Sequence, residues 1–135
     1  MLEDLWPWMH LGSRFLFALV FLVLGLSHLT RLNAMAGYTG SMGIPAPRLA
    51  RLVTGLMQIV GGLTILLGLH RYIGAGLLFL LLVPTAFLMH AFWKQTDPTA
   101  RQHEMIQFLK DLALAGGALF IATQAGTWWP LSFGH

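Results

Sequence analysis

Four stretches of this chain are long and apolar enough to cross a bilayer, and that property leaves few folds open. Spanning about 30 Å of hydrocarbon takes about 20 apolar residues per helix, and inside lipid every backbone N–H and C=O must find a partner within the protein. The stretches run from about Leu11 to Leu29 (LGSRFLFALVFLVLGLSHL), from about Leu49 to Leu69, from about Tyr72 to Trp93 and from about Ile106 to Thr127. A helix on the surface of a soluble protein shows a polar stripe every three to four residues. LFALVFLVLGL and GLLFLLLVPTAFL show none. The sequence therefore predicts an all-α fold, an integral membrane four-helix bundle forming a single domain over residues 1–135.

Composition narrows the function. Charged residues make up 10% of the chain and hydrophobic ones 56%, where soluble domains carry about 25% charge. Disorder would require the opposite balance. The absence of cysteine removes disulfide scaffolds, Cys-ligated zinc, iron–sulfur centres and thiol–disulfide chemistry by this polypeptide alone. The net charge of +3 is scattered among apolar runs, so no basic stripe suggests nucleic acid.

The span ends carry interfacial residues. Trp6 and Trp8 precede the first span, Trp93 closes the third, and Trp128 and Trp129 close the fourth, as expected of rings that prefer the headgroup level. The acidic start MLEDLWPW lacks a basic n-region and a small-residue cleavage site, which argues against a signal peptide. Pro84 predicts a kink in the third span. The glycines at 55, 61, 62, 68, 74, 76, 116 and 117 read first as packing residues that let backbones approach.

The longest connection, Thr30 to Pro47, has apolar residues at Leu32, Met35, Ala36 and Met42 that suit a short surface helix ended by IPAP and covering one mouth of the bundle. Asp97-Pro98 reads as a turn in the connection from Lys94 to Met105. Arg31, Arg48, Arg51, Lys94 and Arg101 lie on the side of the two longer loops, against Arg14 and Arg71 on the other. That bias puts the loops in the cytoplasm and both termini outside.

Ionisable side chains at membrane depth cost about 2.5 to 3.5 kcal/mol each on insertion scales and normally face the bundle interior. His28 and His90 end the first and third spans, which run in the same direction, so their imidazoles fall at similar depth. Gln58 enters from the second span. Gln107, Lys110 and Asp111 share a face of the fourth by their i, i+3, i+4 spacing. The expectation is a polar pocket of His28, Gln58, His90, Lys110 and Asp111 in the loop-side leaflet, roofed by the long first loop. Lys110 and Asp111 alone also read as an interfacial ion pair with lipid phosphate. Arg14, one turn inside the first span on the other side, reads either as a charge snorkelling to the headgroups or as one with a buried partner.

Imidazole, ammonium and amide groups suit the carbonyl oxygens of a quinone, and His passes protons near neutral pH. A haem on His28 and His90 is disfavoured, because only Gly25 flanks one of them and no glycine flanks the other. A zinc site is disfavoured because no two ligands share a helix at i, i+3 or i+4. A transporter is disfavoured by four helices without internal repeats.

In this order and spacing, several segments resemble the DoxX family of small four-helix bacterial membrane proteins. They are the frame of Arg14, Gly25 and His28, the loop GYTGSMGIPAP, the run QIVGGLTILLGLHR, the His90 end of the third span and the run MIQFLKDLALAGGAL. The likeness extends from about Gly12 to Ala125. His90 and Lys110 match the family pattern, whereas Lys is more usual where His28 stands, Glu where Gln58 stands and Asn where Asp111 stands. A proton-carrying role for the family glutamate would thus be closed to Gln58. The resemblance implies a multi-pass protein of the bacterial cytoplasmic (inner) membrane with a role near quinone-linked redox. The expected function is a quinone-binding or redox-linked subunit working with a membrane or peripheral partner oxidoreductase and not catalytic alone. The alternative is a non-catalytic accessory subunit of a larger membrane complex. No covalent cofactor is expected, contact with the lipid bilayer is, and oligomerisation stays open.

Overall fold

In the computed structural model, which describes residues 1–124 and 126–134, five α-helices follow one another with short links. They are α1 (Leu2–Thr30), α2 (Leu32–Ser41), α3 (Pro47–Leu67), α4 (Arg71–Met89) and α5 (Pro98–Thr123), with a 3-10 turn at Phe92–Lys94 between the last two. No strand occurs among the described residues. α1, α3, α5 and the stretch Arg71–Lys94 are each long and apolar enough to span a membrane. This is the all-α membrane bundle expected from the apolar runs. The short helix in the first loop is α2; the side chains of Met35 and Ala36, named for its apolar face, lie outside the described part.

Two spans start earlier than the apolar runs. α1 begins at Leu2, nine residues before Leu11, because Glu3 and Asp4 in its first turn complement the helix dipole. α5 begins at Pro98, since Asp97 is its N-cap, the side chain accepting from Ala100 N at 2.9 Å, with Pro98 at the first helical position. The expected turn is thus a helix start, where proline's missing N–H costs nothing. α4 runs without interruption through Pro84.

α1 packs mainly on α3, α3 on α4, and α4 on α5. The core is built from Phe21, Ile65, Leu78, Leu82, Ala115 and Ala118. Around it, large apolar side chains such as Leu16, Leu80 and Phe120 point outward and are at least 65% exposed, as suits helices whose outer solvent is hydrocarbon. Close helix approach depends on glycine at particular points. A Cβ at Gly25 would stand 3.0 Å from both Gln58 Cβ and the carbonyl oxygen of Gly55, and one at Gly74 would collide with Thr64.

At the end of the bundle holding the N-terminus of α1, the segment 126–134 folds back beneath the helices. Arg14 donates from Nη1 to Pro130 O and from Nη2 to Leu131 O, both at 2.8 Å, and Arg71 donates to Thr127 O at 3.0 Å. Phe133 N donates to Leu67 O at 2.9 Å, and Ser132 packs directly on Gly68, whose φ of +70° ends α3. Trp129, 5% exposed, sits with Arg71 4.2 Å and Arg14 5.7 Å from its ring centre. Trp128 stays outside, 64% exposed. The two tryptophans that read alike as interfacial anchors therefore divide into an anchor and a plug.

Candidate functional site

The loop-side end of the bundle is organised by the termination of α4. Met89 ends the helix, His90 caps it with φ −122° and ψ 45°, and the chain turns through the 3-10 segment into α5. The His90 imidazole is thereby turned toward the first half of α5. Its Nδ1 lies 2.7 Å from Glu104 Oε2 and its Nε2 3.7 Å from Asp111 Oδ2. With Glu104 ionised, Nδ1–H donates to it. The longer contact is an ionic approach beyond hydrogen-bonding distance, and Asp111 Oδ2 is buried without a hydrogen-bond donor. Glu104 and Asp111 are seven residues apart, two turns of one helix, so they flank the imidazole from above and below.

Glu104 escaped the sequence reading because residues 94–105 looked like loop. The available signal was Asp97-Pro98 taken as N-cap and first helical residue, which places Glu104 in the second turn and on the face of Asp111. α2 reaches the same end. Its Thr39 is 3% exposed, and partial desolvation together with the Glu104 carboxylate pushes the Tyr38 phenol above its usual pKa.

The other expected pocket residues separate into two positions. His28 and Gln58 lie on the seam of α1 and α3, where Gly25 and Gly55 bring the backbones together: Gln58 is 7% exposed and abuts Gly25, and a Cβ at Gly55 would meet His28 Cβ at 3.0 Å. His28 Nδ1 and Gln58 Oε1 are both buried without a hydrogen-bond partner. Arg51, 8% exposed, is within electrostatic reach of His28. Lys110 is exposed on the outer surface of α5, while Gln107 and Asp111 are half-buried. The inward face of α5 runs through 104, 107, 111, 115 and 118, and Lys110, about 100° round the helix from Asp111, falls off its edge. Arg14 is 3% exposed and turned inward onto backbone carbonyls, so of its two readings the buried partner holds.

The loop-side end therefore carries one imidazole between two carboxylates on the α4–α5 side, and an imidazole and an amide with unused polar atoms on the α1–α3 side. Among the described residues no three His, Asp or Glu side chains are disposed to hold a metal ion. Such an arrangement can accept, hold and pass a proton, can accept hydrogen bonds from a ligand on Gln58 Oε1 and Asp111 Oδ2, and can donate one only from an imidazole N–H.

The family model that matches the chain is DoxX, over residues 9–91. The match takes in Arg14, His28, Gln58 and His90 and stops before α5, so Glu104, Lys110 and Asp111 lie outside it. A curated relative, inner membrane protein YphA of Escherichia coli (strain K12), is 28% identical over 116 residues, which are 86% of this chain and 82% of that protein. No solved structure matches. With four spanning helices and a family model matched across three of them, the chain belongs to the DoxX family of integral membrane proteins.

Proposed function

We propose that this DoxX-family protein is a quinone-linked membrane subunit that handles protons at the loop-side end of the bundle and works with a partner oxidoreductase. The observation that carries the reading is the imidazole of His90 held between Glu104 at 2.7 Å and Asp111 at 3.7 Å. A bound quinone would supply a two-electron, two-proton couple, and its electrons come from the partner, since this chain offers no cysteine for a redox centre. The residues suit such a ligand in its reduced form: on the α4–α5 side Asp111 Oδ2 is a buried acceptor with unused capacity that would take a hydrogen bond from a quinol hydroxyl, and an unmade bond there is costly without an occupant. Glu104 fixes the ring of His90 through Nδ1 and leaves Nε2 to take or give a proton toward Asp111. Gln58, on the α1–α3 seam, offers Oε1 as an acceptor for a ligand hydroxyl and cannot carry a proton. Lys110, outside this constellation, reaches the headgroup phosphates instead. The location follows the relative, an inner membrane protein, and the four spans fit a multi-pass protein of the cytoplasmic membrane.

Extraction of quinone from protein purified in mild detergent tests this. Wild type and Lys110→Ala are expected to retain quinone, while His90→Ala and Asp111→Asn lose roughly ten-fold or more in occupancy, the effect of one charged hydrogen bond at a buried site. Equal occupancy in all four proteins would overturn the reading and leave the alternative, a non-catalytic accessory subunit of a larger membrane complex.

A further inference from the structure

At the opposite end of the bundle, α1 and α5 do not close on each other. They touch where a Cβ at Gly117 would stand 3.1 Å from Phe17, and beyond that contact they enclose a cleft of about 570 Å³. Because α1 enters the bundle from this end and α5 leaves it here, position along the helices measures depth. Phe17, Gly117 and Phe120 line the deep part; His10, Gln124 and Thr127 line the outer part. Exposed Trp6 and Trp128 stack at the rim with ring centres 5.8 Å apart. Polarity therefore changes along the cleft from apolar within the bilayer to polar at its surface. The exposure of Phe120, 65%, shows that the deep part opens sideways to lipid.

The polar part is positive and incompletely used. Arg14 lines the cleft and is 3% exposed; its two Nη atoms are engaged by carbonyl oxygens, yet its Nε is buried without an acceptor. Among the described residues no carboxylate pairs with Arg14, and none lines the cleft. Arg71 lies against the ring of Trp129, 4.2 Å from its centre. His10 Nδ1 is likewise buried and unpartnered, with its ring edge-on to Trp129 at 5.0 Å. A buried guanidinium with no counter-charge among the described residues is costly, and an occupant suited to the cleft carries an anionic group at headgroup level and an apolar chain below.

We infer that the cleft between α1 and α5 is a binding site for an anionic phospholipid, its phosphate against Arg14 Nε and His10 and one acyl chain lying along Phe17, Phe120 and Ile121. The site is separate from the loop-side constellation, so it stands or falls independently of the quinone reading.

Native mass spectrometry of the full chain with added phosphatidylglycerol or phosphatidylethanolamine tests the inference. Phosphatidylglycerol is expected to be retained at least about five-fold more strongly, the discrimination one Arg contributes toward an anionic lipid. Arg14→Gln should abolish that preference. Because Arg14 also anchors residues 130 and 131, Ser13→Trp provides a second variant: Ser13 lines the cleft, is exposed and donates to His10 O, on its own helix, at 2.8 Å. The new indole fills the cleft and should remove the preference while leaving the thermal midpoint and quinone occupancy unchanged. Equal retention of the two lipids, or a preference that survives Ser13→Trp, would overturn the proposal. So would displacement of the lipid by inorganic phosphate alone, or by quinone, each of which would assign the cleft to another ligand.

Discussion

A histidine at the end of a membrane helix has both ring nitrogens free of its own backbone, so its neighbours decide its chemistry. His90 ends α4 and faces a helix that offers carboxylates two turns apart, 2.7 and 3.7 Å from its nitrogens. The quinone-occupancy series belongs to this scale, because it changes one proton-bearing group at a time. So does a contrast between two glycines. Gly74→Ala would drive a methyl group into Thr64, whose hydroxyl already donates to Gly61 O at 2.9 Å. Overpacking of that kind costs about 1–3 kcal/mol. Nothing lies within 4 Å of a Cβ at Gly116, so Gly116→Ala should be neutral or stabilising by up to about 1 kcal/mol, through helix propensity. Thermal unfolding in detergent, followed by circular dichroism, should lower the midpoint for the first and hold or raise it for the second. Equal responses would mean that the α3–α4 contact is looser than the structure has it.

At the scale of elements, what the sequence disclosed depended on whether the signal was apolar length or polar punctuation. The four spans were legible because about 20 apolar residues in a row have few other uses. Their ends were less so. The polar turns Glu3–Asp4 and 98–105 continue helices beyond the hydrocarbon-like stretch, and hydropathy is silent there. Asp97 holds the missing information as an N-cap, and a reading that takes Asp97-Pro98 as a turn leaves Glu104 in a loop. Asp97→Ala should cost about 0.5–2 kcal/mol of stability, read as a lowered unfolding midpoint, with loss of order confined to the first turns of α5 in hydrogen exchange. The face of α5 was half legible: spacing placed Gln107 and Asp111 together correctly, and the same rule spread too widely when it took Lys110 with them. A seam admits roughly the positions of one helical stripe.

On the scale of the whole molecule, the end of the bundle near the N-terminus of α1 could not have been read in advance. Arg14 binds the carbonyls of Pro130 and Leu131, 116 and 117 residues further along, and a backbone carbonyl has no signature in a sequence. The cleft beside it is equally non-local, made by two helices that are first and last in the chain. Trp129 joins these parts by lying against Arg14, Arg71 and His10. Trp129→Ala should therefore destabilise by about 3–5 kcal/mol, the usual cost of removing a large buried ring, and should reduce phosphatidylglycerol retention as well. Retention lost with no fall in the unfolding midpoint would place Trp129 in the lipid site alone rather than in the framework.

The anchoring of residues 127–131 by Arg14 and Arg71 also has a consequence for biosynthesis. Both arginines enter the membrane with α1 and α4, but their acceptors are translated only after α5. Until then these guanidiniums lack the carbonyls that hold them in the finished fold. The spans thus fold together before these contacts exist, and the segment after α5 acts as a latch that closes on the bundle once it has been made.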